Sequence, residues 1–280
     1  MIFDQTKNLR TSDNKKTILK KGQYLAPSYQ IQDFKDFLIG ISNYQDQVET
    51  GVWHAHENPL ISFVLYGGNK EYRKGKEMDR VSGSINYYHS LEPHKNIYYT
   101  FPSKHISLEL SNNFLKKYNY TETDIEFATK KNYDGHFTFI KLMKEAQIND
   151  LQSYASIEML FLSFLENSEK SYDQTLSPSW ILSVRDILND RWNENISLKE
   201  LAYHVNVHPT TISKNFKKHF QCTLGEYTRK LKVNRSLKIL GSSHYSLTEI
   251  AHICGFSDQS HFIRVFKSMT NHLPSEYLKI

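Results

Sequence analysis

The feature that most constrains this chain is a helical unit that occurs twice near its end. Residues 197–227 read SLKELAYHVNVHPTTISKNFKKHFQCTLGEY, and residues 246–277 read SLTEIAHICGFSDQSHFIRVFKSMTNHLPSEY. The opening Ser-Leu-x-Glu-x-Ala, an internal Phe-Lys and the closing Glu-Tyr recur in both, with one residue inserted in the second. A repeat of this length is one supersecondary unit used twice. The C-terminal part therefore contains two copies of one helical fold.

Each unit predicts two short helices joined by a tight turn. In the second unit, Ser246 followed by Glu249 is a capping-box pattern that opens a helix. Gly255 then permits the positive φ of a sharp turn, and Phe262 and Phe266 form one apolar face of the next helix. Two helices joined in this way form either a helix-turn-helix or an ordinary αα-hairpin within a helical core.

The positive charge of the chain lies in the same region. From residue 178 to the end there are 14 Lys and Arg against 8 Asp and Glu, a net charge of +6, whereas residues 1–177 carry 21 and 22. A basic region is the electrostatic footprint of phosphate binding, although a chance asymmetry of a solvated surface would look the same. The basic segment 226–240, if helical, spans roughly 22 Å and could hold two recognition helices on one side of a duplex.

Two motifs give this region a family resemblance. GFSDQSHFIRVFK (255–267) and PSEY (274–277), within about residues 178–280, resemble the DNA-binding domain of AraC/XylS-family transcription regulators. The first unit departs from that pattern at Asn206, where glycine is usual, but asparagine tolerates positive φ. The resemblance implies double-stranded DNA as partner, two successive major-groove segments as target, and activation through RNA polymerase, with repression also possible.

The recognition helices are expected to begin near residues 209 and 259. Arg264 can bond O6 and N7 of guanine, Gln259 suits adenine, and Ile263 touches a thymine methyl group or nothing. A phosphate contact, which positions without specifying, is the alternative for the basic side chains. The candidate DNA-contacting residues are Thr210, Ser213, Lys214, Lys217, Lys218, Gln259, Ser260, Ile263, Arg264 and Lys267.

The length of 280 residues suggests two domains. Residues 22–111 contain short β-rich runs, PLISFVLYGG (59–68), SINYYHSLEPHKNIYYTF (84–101) and KHISLELS (104–111), which predict a small barrel or sandwich. Helices are expected at 112–118, 136–147 and 153–168, the last so apolar that it is wholly buried or a dimer seam. The predicted fold is α+β, with a β-barrel domain and its helices (1–170), a linker (171–178) and an all-α double helix-turn-helix domain (179–280, with units at 197–220 and 246–268).

WHAHENPLISFVLYGG and EPHKN resemble the cupin-like sensor domain of many AraC-type regulators. Metal cupins bind an ion with a His-x-His pair, a carboxylate and a later histidine, and this chain has no glutamate four to six residues after the pair. Three histidines could still form a metal site. The missing carboxylate favours instead a ligand pocket lined by His and Tyr without metal or cofactor, or residual structural histidines. The candidate pocket residues are His54, His56, Tyr87, His94 and Tyr98.

Other protein classes fit the sequence less well. No apolar run approaches the roughly 18 residues of a membrane span, and the N-terminus has no hydrophobic signal core. Cys222 and Cys254 are expected in the core of a cytoplasmic protein. We therefore predict a homodimeric, ligand-responsive transcription regulator that is not an enzyme. The alternatives are a metal-dependent cupin enzyme fused to a DNA-binding unit and a non-specific DNA-binding protein.

Overall fold

The computed structural model describes residues 17–46, 51–132, 134–169, 177–242, 245–277 and 279. The chain divides into two compact units, Met1–Phe164 and Leu165–Ile280. The predicted linker at 171–178 lies outside the described residues except for its last two positions. The first unit combines a curled sheet with helices and the second is helical, which confirms the predicted α+β class.

The first unit is built on one curled, half-barrel sheet of eight strands. The strands are β1 (Thr17–Leu19), β2 (Ser28–Phe34), β3 (Phe37–Tyr44), β4 (His54–His56), β5 (Leu60–Arg73), β6 (Lys76–Val81), β7 (Ile85–Tyr88) and β8 (His94–Leu110). The long strands β5 and β8 pair antiparallel along their whole length, from Leu60 opposite Glu109 to Arg73 opposite His94. Strands β3 and β4 also pair with β8, so β8 organises the sheet.

Strand β5 does not end at the glycine pair, contrary to the prediction that the run 59–68 stops there. Gly67 has φ +75°, and a side chain on it would collide with Pro102 and Ser103 of β8. A side chain on Gly68 would collide with the Arg80 carbonyl of β6. The register against β8 shifts at this point. The glycines therefore mark a bulge at which two strands approach closely and the sheet bends.

Strand β8 is buried on both faces near its end. Ile106, Leu108 and Leu110 lie on the apolar face that their alternation predicts, but Ser107 and Glu109 between them are also buried. Segments 84–101 and 104–111, which the sequence predicts as separate, are joined because β8 runs through both.

Helices follow the sheet and build the described part of the second unit. They are α1 (Asn112–Tyr118), α2 (Glu122–Lys131), α3 (Gly135–Ile148), α4 (Ser153–Glu169), α5 (Ser179–Asp190), α6 (Leu198–Val205), α7 (Pro209–Phe220), α8 (Leu224–Ser242), α9 (Leu247–Ile253), α10 (Gln259–Thr270) and the short α11 (Pro274–Tyr277). Helix α4 packs on the sheet through Phe161, whose ring lies 6.0 Å from that of Phe37. Its outer face carries Met159, which is 72% exposed, so the first predicted alternative, a wholly buried helix, is wrong, whereas the second, a dimer seam, stays a prediction.

Candidate nucleic-acid interface and buried histidine cluster

Local capping defines the first helix-turn-helix. The Ser197 hydroxyl accepts the Glu200 N–H and starts α6, which ends at Asn206 with φ +51°. His208 caps α7 through Nδ1, which accepts the Thr210 N–H, and Pro209 occupies the first helical position, where its missing N–H costs nothing. The predicted turn at Asn206 is thus confirmed.

Helix α7 divides into a buried and an exposed face. Ile212 and Phe216 pack in a core with Ile181, Val184 and Leu188 of α5. The opposite face is polar, basic and exposed. It consists of Thr210, Ser213, Lys214, Lys217 and Lys218, which are all five predicted DNA-contacting residues of this helix.

The second helix-turn-helix repeats the arrangement. Ser246 and Glu249 form the predicted capping box, and Asp258 caps α10 by accepting the His261 N–H at 2.7 Å. Phe262 and Phe266 are fully buried.

The outer face of α10 carries the five predicted contacts of this unit. Ser260, Arg264 and Lys267 are exposed, whereas Gln259 and Ile263 are half-buried. The Gln259 side-chain oxygen accepts a 2.6 Å hydrogen bond from the Thr248 hydroxyl of α9, so Gln259 is positioned by its own unit.

A junction that the sequence did not predict joins the two helix-turn-helix units. Gly255 in the second turn has φ +70°, and a side chain on it would collide with the Asn193 carbonyl in the loop before α6. Lys232 of α8 is buried, and its Nζ donates to Asn195 Oδ1 at 2.9 Å and to the Gly255 carbonyl at 2.6 Å. Burial lowers the pKa of Lys232. This lysine is therefore not part of the basic surface expected of segment 226–240; it ties the loop, α8 and the second turn together.

Three of the predicted pocket residues meet inside the sheet of the first unit. His54, His56 and His94 are all buried, and one ring nitrogen from each lies within 4.8 Å of the others. His54 and His94 are direct cross-strand partners on β4 and β8, with ring centroids 4.3 Å apart. Burial lowers the pKa of all three rings, to about 3 for His56 and about 2 for His94, so each is neutral at physiological pH.

Tyr87, one of the two tyrosines predicted for this pocket, does not face the histidines. Tyr87 points to α2, where its hydroxyl donates to Glu122 at 3.2 Å. Tyr88 takes the place expected for it, with its ring 4.4 Å from that of His94. Successive strand residues face opposite sides, so a one-residue error in register moves the side chain across the sheet. The side chain of Tyr98 lies outside the described residues.

A buried charge network borders the histidine cluster. Glu71 accepts from the Tyr88 hydroxyl at 3.0 Å and pairs with Arg73 at 3.3 Å, and Arg80 lies 3.8 Å away. Glu71 and Arg80 are almost completely buried. The local sequence pattern of β5 did not predict that these charged side chains are buried and paired, because a buried ion pair depends on which strands become neighbours.

A second polar cluster fixes α2 to the end of β7. His89 Nδ1 lies 3.0 Å from Glu122 Oε2, and its Nε2 lies 3.0 Å from Glu126 Oε2. Ser90 donates to Glu122 from its hydroxyl at 2.6 Å and from its N–H at 3.0 Å. Both ring nitrogens of His89 therefore face carboxylate oxygens of α2.

Two capped helix-turn-helix units, each exposing the polar face of its second helix, define a double helix-turn-helix domain. Residues 201–280 match a family model described as a helix-turn-helix domain. The match confirms the helix-turn-helix domain that the AraC-type resemblance of this region implies.

Known proteins match part of the chain. The chain is 27% identical over 135 residues to the uncharacterized HTH-type transcriptional regulator YijO of Escherichia coli strain K12, covering 48% of each chain. It is 27% identical over 146 residues to the HTH-type transcriptional activator RhaS of Escherichia coli strain SMS-3-5, covering 49% of this chain and 50% of RhaS. The matches therefore span about half the length of these relatives. Among solved structures, ToxT from Vibrio cholerae aligns with 88% of this chain and 98% of its own, at 16% identity and a TM-score of 0.36.

The helices of the described ranges include none that is both long and apolar enough to span a lipid bilayer.

Proposed function

We propose that this protein is a transcription regulator that binds specific sequences of double-stranded DNA through its two helix-turn-helix units. The observation that carries the proposal is the duplicated exposed face of α7 and α10. Both faces are polar and basic, and both belong to the second helix of a capped unit. Each face begins at the N-terminus of its helix, and in this motif the N-terminal residues of the second helix reach the base edges.

The exposed side chains divide by chemistry. Arg264 is exposed on the outer face of α10, and its planar guanidinium suits bidentate hydrogen bonding to guanine. Gln259 suits adenine, and its bond to Thr248 holds it near the helix start. Ile263, Thr210, Ser213 and Ser260 are the remaining base-contact candidates. Lys214, Lys217, Lys218 and Lys267 serve phosphate contacts, which supply affinity without sequence preference.

The first unit acts in this proposal as the sensor. Its sheet interior holds buried polar and ionisable side chains, including the histidine cluster and the Glu71 network. Clustered buried ionisable groups of this kind are candidates for a binding site. The regulator acts as a homodimer, its first unit has no catalytic role, and it contacts RNA polymerase when it activates.

The test is selection of binding sites from a random-sequence duplex library, followed by fluorescence anisotropy at fixed physiological salt. A specific regulator enriches one motif and binds it about 10³-fold or more tightly than scrambled DNA. Failure to enrich any motif, or equal binding to both duplexes, would refute sequence-specific recognition.

Arg264→Ala tests the placement of the recognition face. The loss of one bidentate contact costs about 1–3 kcal/mol on the selected site, and the ratio of specific to scrambled affinity falls accordingly. Arg229→Ala is the matched control, because Arg229 is exposed on α8 and its substitution removes the same charge outside the recognition helices. It should leave that ratio unchanged. An equal fall of the ratio in both variants would contradict the assignment of Arg264.

A further inference from the structure

We propose that Thr248 is a specificity-determining positioning residue, which fixes the side-chain amide of Gln259 and thereby sets a base preference of the second helix-turn-helix unit. The inference rests on the proposed function, because a base preference exists only if α10 reads DNA. The two side chains come from different helices, Thr248 from α9 and Gln259 from α10. The Thr248 hydroxyl donates a 2.6 Å hydrogen bond to Gln259 Oε1.

Helix caps hold the backbone on both sides of this hydrogen bond. Thr248 lies in the first turn of α9, where Ser246 and Glu249 form a complete capping box. Gln259 is the first residue of α10, and the side chain of Asp258 caps that helix. The hydrogen bond therefore joins two helix starts that are each held in place by their own caps.

The amide of a glutamine reads DNA ambiguously until its orientation is fixed. Its oxygen accepts and its nitrogen donates, so a freely rotating amide can bond to an edge of any of the four bases in the major groove. With the Thr248 hydroxyl on Gln259 Oε1, this oxygen keeps one lone pair for a base. An acceptor and a donor side by side form the pattern that pairs with N6 and N7 of adenine. One fixed orientation keeps this pairing and disfavours the others.

DNA binding should increase the weight of this hydrogen bond. In the free protein Thr248 is exposed and Gln259 is half-buried, so water competes for both side chains. A duplex against α10 would exclude that water, and a hydrogen bond is stronger in a less polar environment. A side chain that is already held also loses less conformational freedom when it binds. The Thr248 hydroxyl should therefore matter more in the complex than in the free protein.

The first unit lacks the arrangement, which makes the two units unequal. Lys199 on α6 occupies the position that corresponds to Thr248, and Pro209 is the first residue of α7 as Gln259 is of α10. A proline side chain has no hydrogen-bonding group. The first helical position should therefore specify a base pair only in the half of the DNA site that α10 contacts.

The experiment compares full-length variants in site selection from one random-sequence duplex library. Gln259→Ala should relax the preference at a single base pair of the wild-type motif, which identifies the pair that Gln259 reads. Thr248→Val removes the hydroxyl and keeps the shape of the side chain. We expect it to reduce the preference at that same base pair by roughly 2- to 10-fold, the weight of one hydrogen bond, while the other base pairs keep theirs. Thr248→Ser keeps a hydroxyl and should retain the wild-type preference.

Thr228→Val is the matched control, because it removes a threonine hydroxyl that donates to the Leu224 carbonyl within α8. It should leave every base preference unchanged. A Thr248→Val motif identical to that of wild type would overturn the inference. Equal weakening of binding to all sequences would do the same, since it would mean that Thr248 only stabilises α9. Both results would leave the proposed function intact, whereas a wild-type protein that enriches no motif would refute the proposed function and this inference with it.

Discussion

At the scale of single residues, two turn positions carry the same backbone conformation for different reasons. Asn206 and Gly255 both have left-handed backbone, with φ +51° and +70°, and each ends the first helix of its unit or follows that end. Asn206 is exposed, so this position needs only a residue that tolerates the conformation. Gly255 must also admit the Asn193 carbonyl. Only the second position is therefore restricted to glycine by packing.

Alanine at each turn separates these two requirements. Both substitutions place alanine in the left-handed region, a conformation that costs about 1–2 kcal/mol. Gly255→Ala adds the collision with Asn193, so we expect it to lower the free energy of unfolding of the second unit by roughly 2 kcal/mol more than Asn206→Ala does. Chemical denaturation followed by Trp180 and Trp192 fluorescence measures the difference. Equal losses would mean that the loop before α6 moves aside without cost.

The buried lysine at the junction leads to a second prediction. Lys232→Met keeps the length and apolar stem of the side chain but leaves the Gly255 carbonyl without its donor. We expect a loss of about 1–2 kcal/mol in the free energy of unfolding, the usual cost of a buried acceptor left unpaired. Lys199→Met, at an exposed position on α6, is the control and should stay within about 0.5 kcal/mol of wild type. An unchanged stability of Lys232→Met would show that the junction is held by packing alone.

At the scale of elements, the sequence predicts best where a local signal is sufficient. Capping residues such as Ser197 and Ser246, together with Pro209, locate the helices of both units because a cap acts within four residues. The sequence pattern did not predict helix α2, although Thr121 and Asp124 form a capping box. Only three of its ten residues are apolar, too few for a clear apolar face.

Strand contacts were harder to predict because they depend on pairing partners. The bulge at Gly67 resembles a strand end in the sequence, and the placement of Tyr88 rather than Tyr87 beside the histidines depends on a one-residue register. The convergence of His54 with His94 needed the pairing of β4 with β8, which no local pattern contains. The sequence therefore indicated which histidines to consider but not the distance between them.

The carboxylates that fix α2 to the end of β7, Glu122 and Glu126, should make the stability of the first unit depend on pH. Hydrogen bonds from Lys130 and His89 lower the pKa of Glu126 to about 2. Burial alone would raise the pKa of Glu122, but hydrogen bonds from Ser90 and His89 outweigh it and lower the value. A depressed folded-state pKa contributes stability that is complete above the unfolded-state pKa, about 4.3, and is lost as the pH falls towards the folded-state value. The first unit should therefore lose stability between about pH 4.5 and pH 2.

Glu126→Gln tests this assignment by calorimetry of the full chain, in which the two units can melt separately. The variant should be less stable than wild type near neutral pH and should lose less stability on acidification, because the substituted amide does not titrate. Glu57→Gln, a change at an exposed carboxylate of the same unit, should keep the wild-type pH dependence. If Glu126→Gln also keeps it, the stabilising carboxylate lies elsewhere.

At the scale of the whole molecule, charge is divided between the two parts of the chain. The net charge of +6 after residue 177 contrasts with −1 before it. In the proposed function, lysines on α7 and α10 contact phosphates, and such contacts release counterions from DNA, so we expect affinity to fall steeply with salt. The proposed division between phosphate and base contacts can therefore be tested by the salt dependence of affinity, without a structure of the protein–DNA complex.

Lys217→Gln should weaken binding to the selected site and to scrambled DNA by the same factor. It should also reduce the magnitude of the slope of log affinity against log salt concentration by about 1, the effect of losing one phosphate contact. Arg264→Ala should instead act mainly on the selected site. Anisotropy titrations at several salt concentrations distinguish the two. A slope that Lys217→Gln leaves unchanged would show that this lysine does not reach the backbone.

The pairing pattern of the sheet has a consequence for how the chain acquires its structure. Strand β3 pairs with β8, so Phe37 meets Leu110 across a long intervening segment, and β1 pairs with β4. The second unit is assembled from helices whose main contacts are with the next one or two helices along the chain. Folding rates fall as contacts become less local. Refolding should therefore show two phases, with the helical unit, which leaves the ribosome after the sheet, reaching its native state faster than the sheet does.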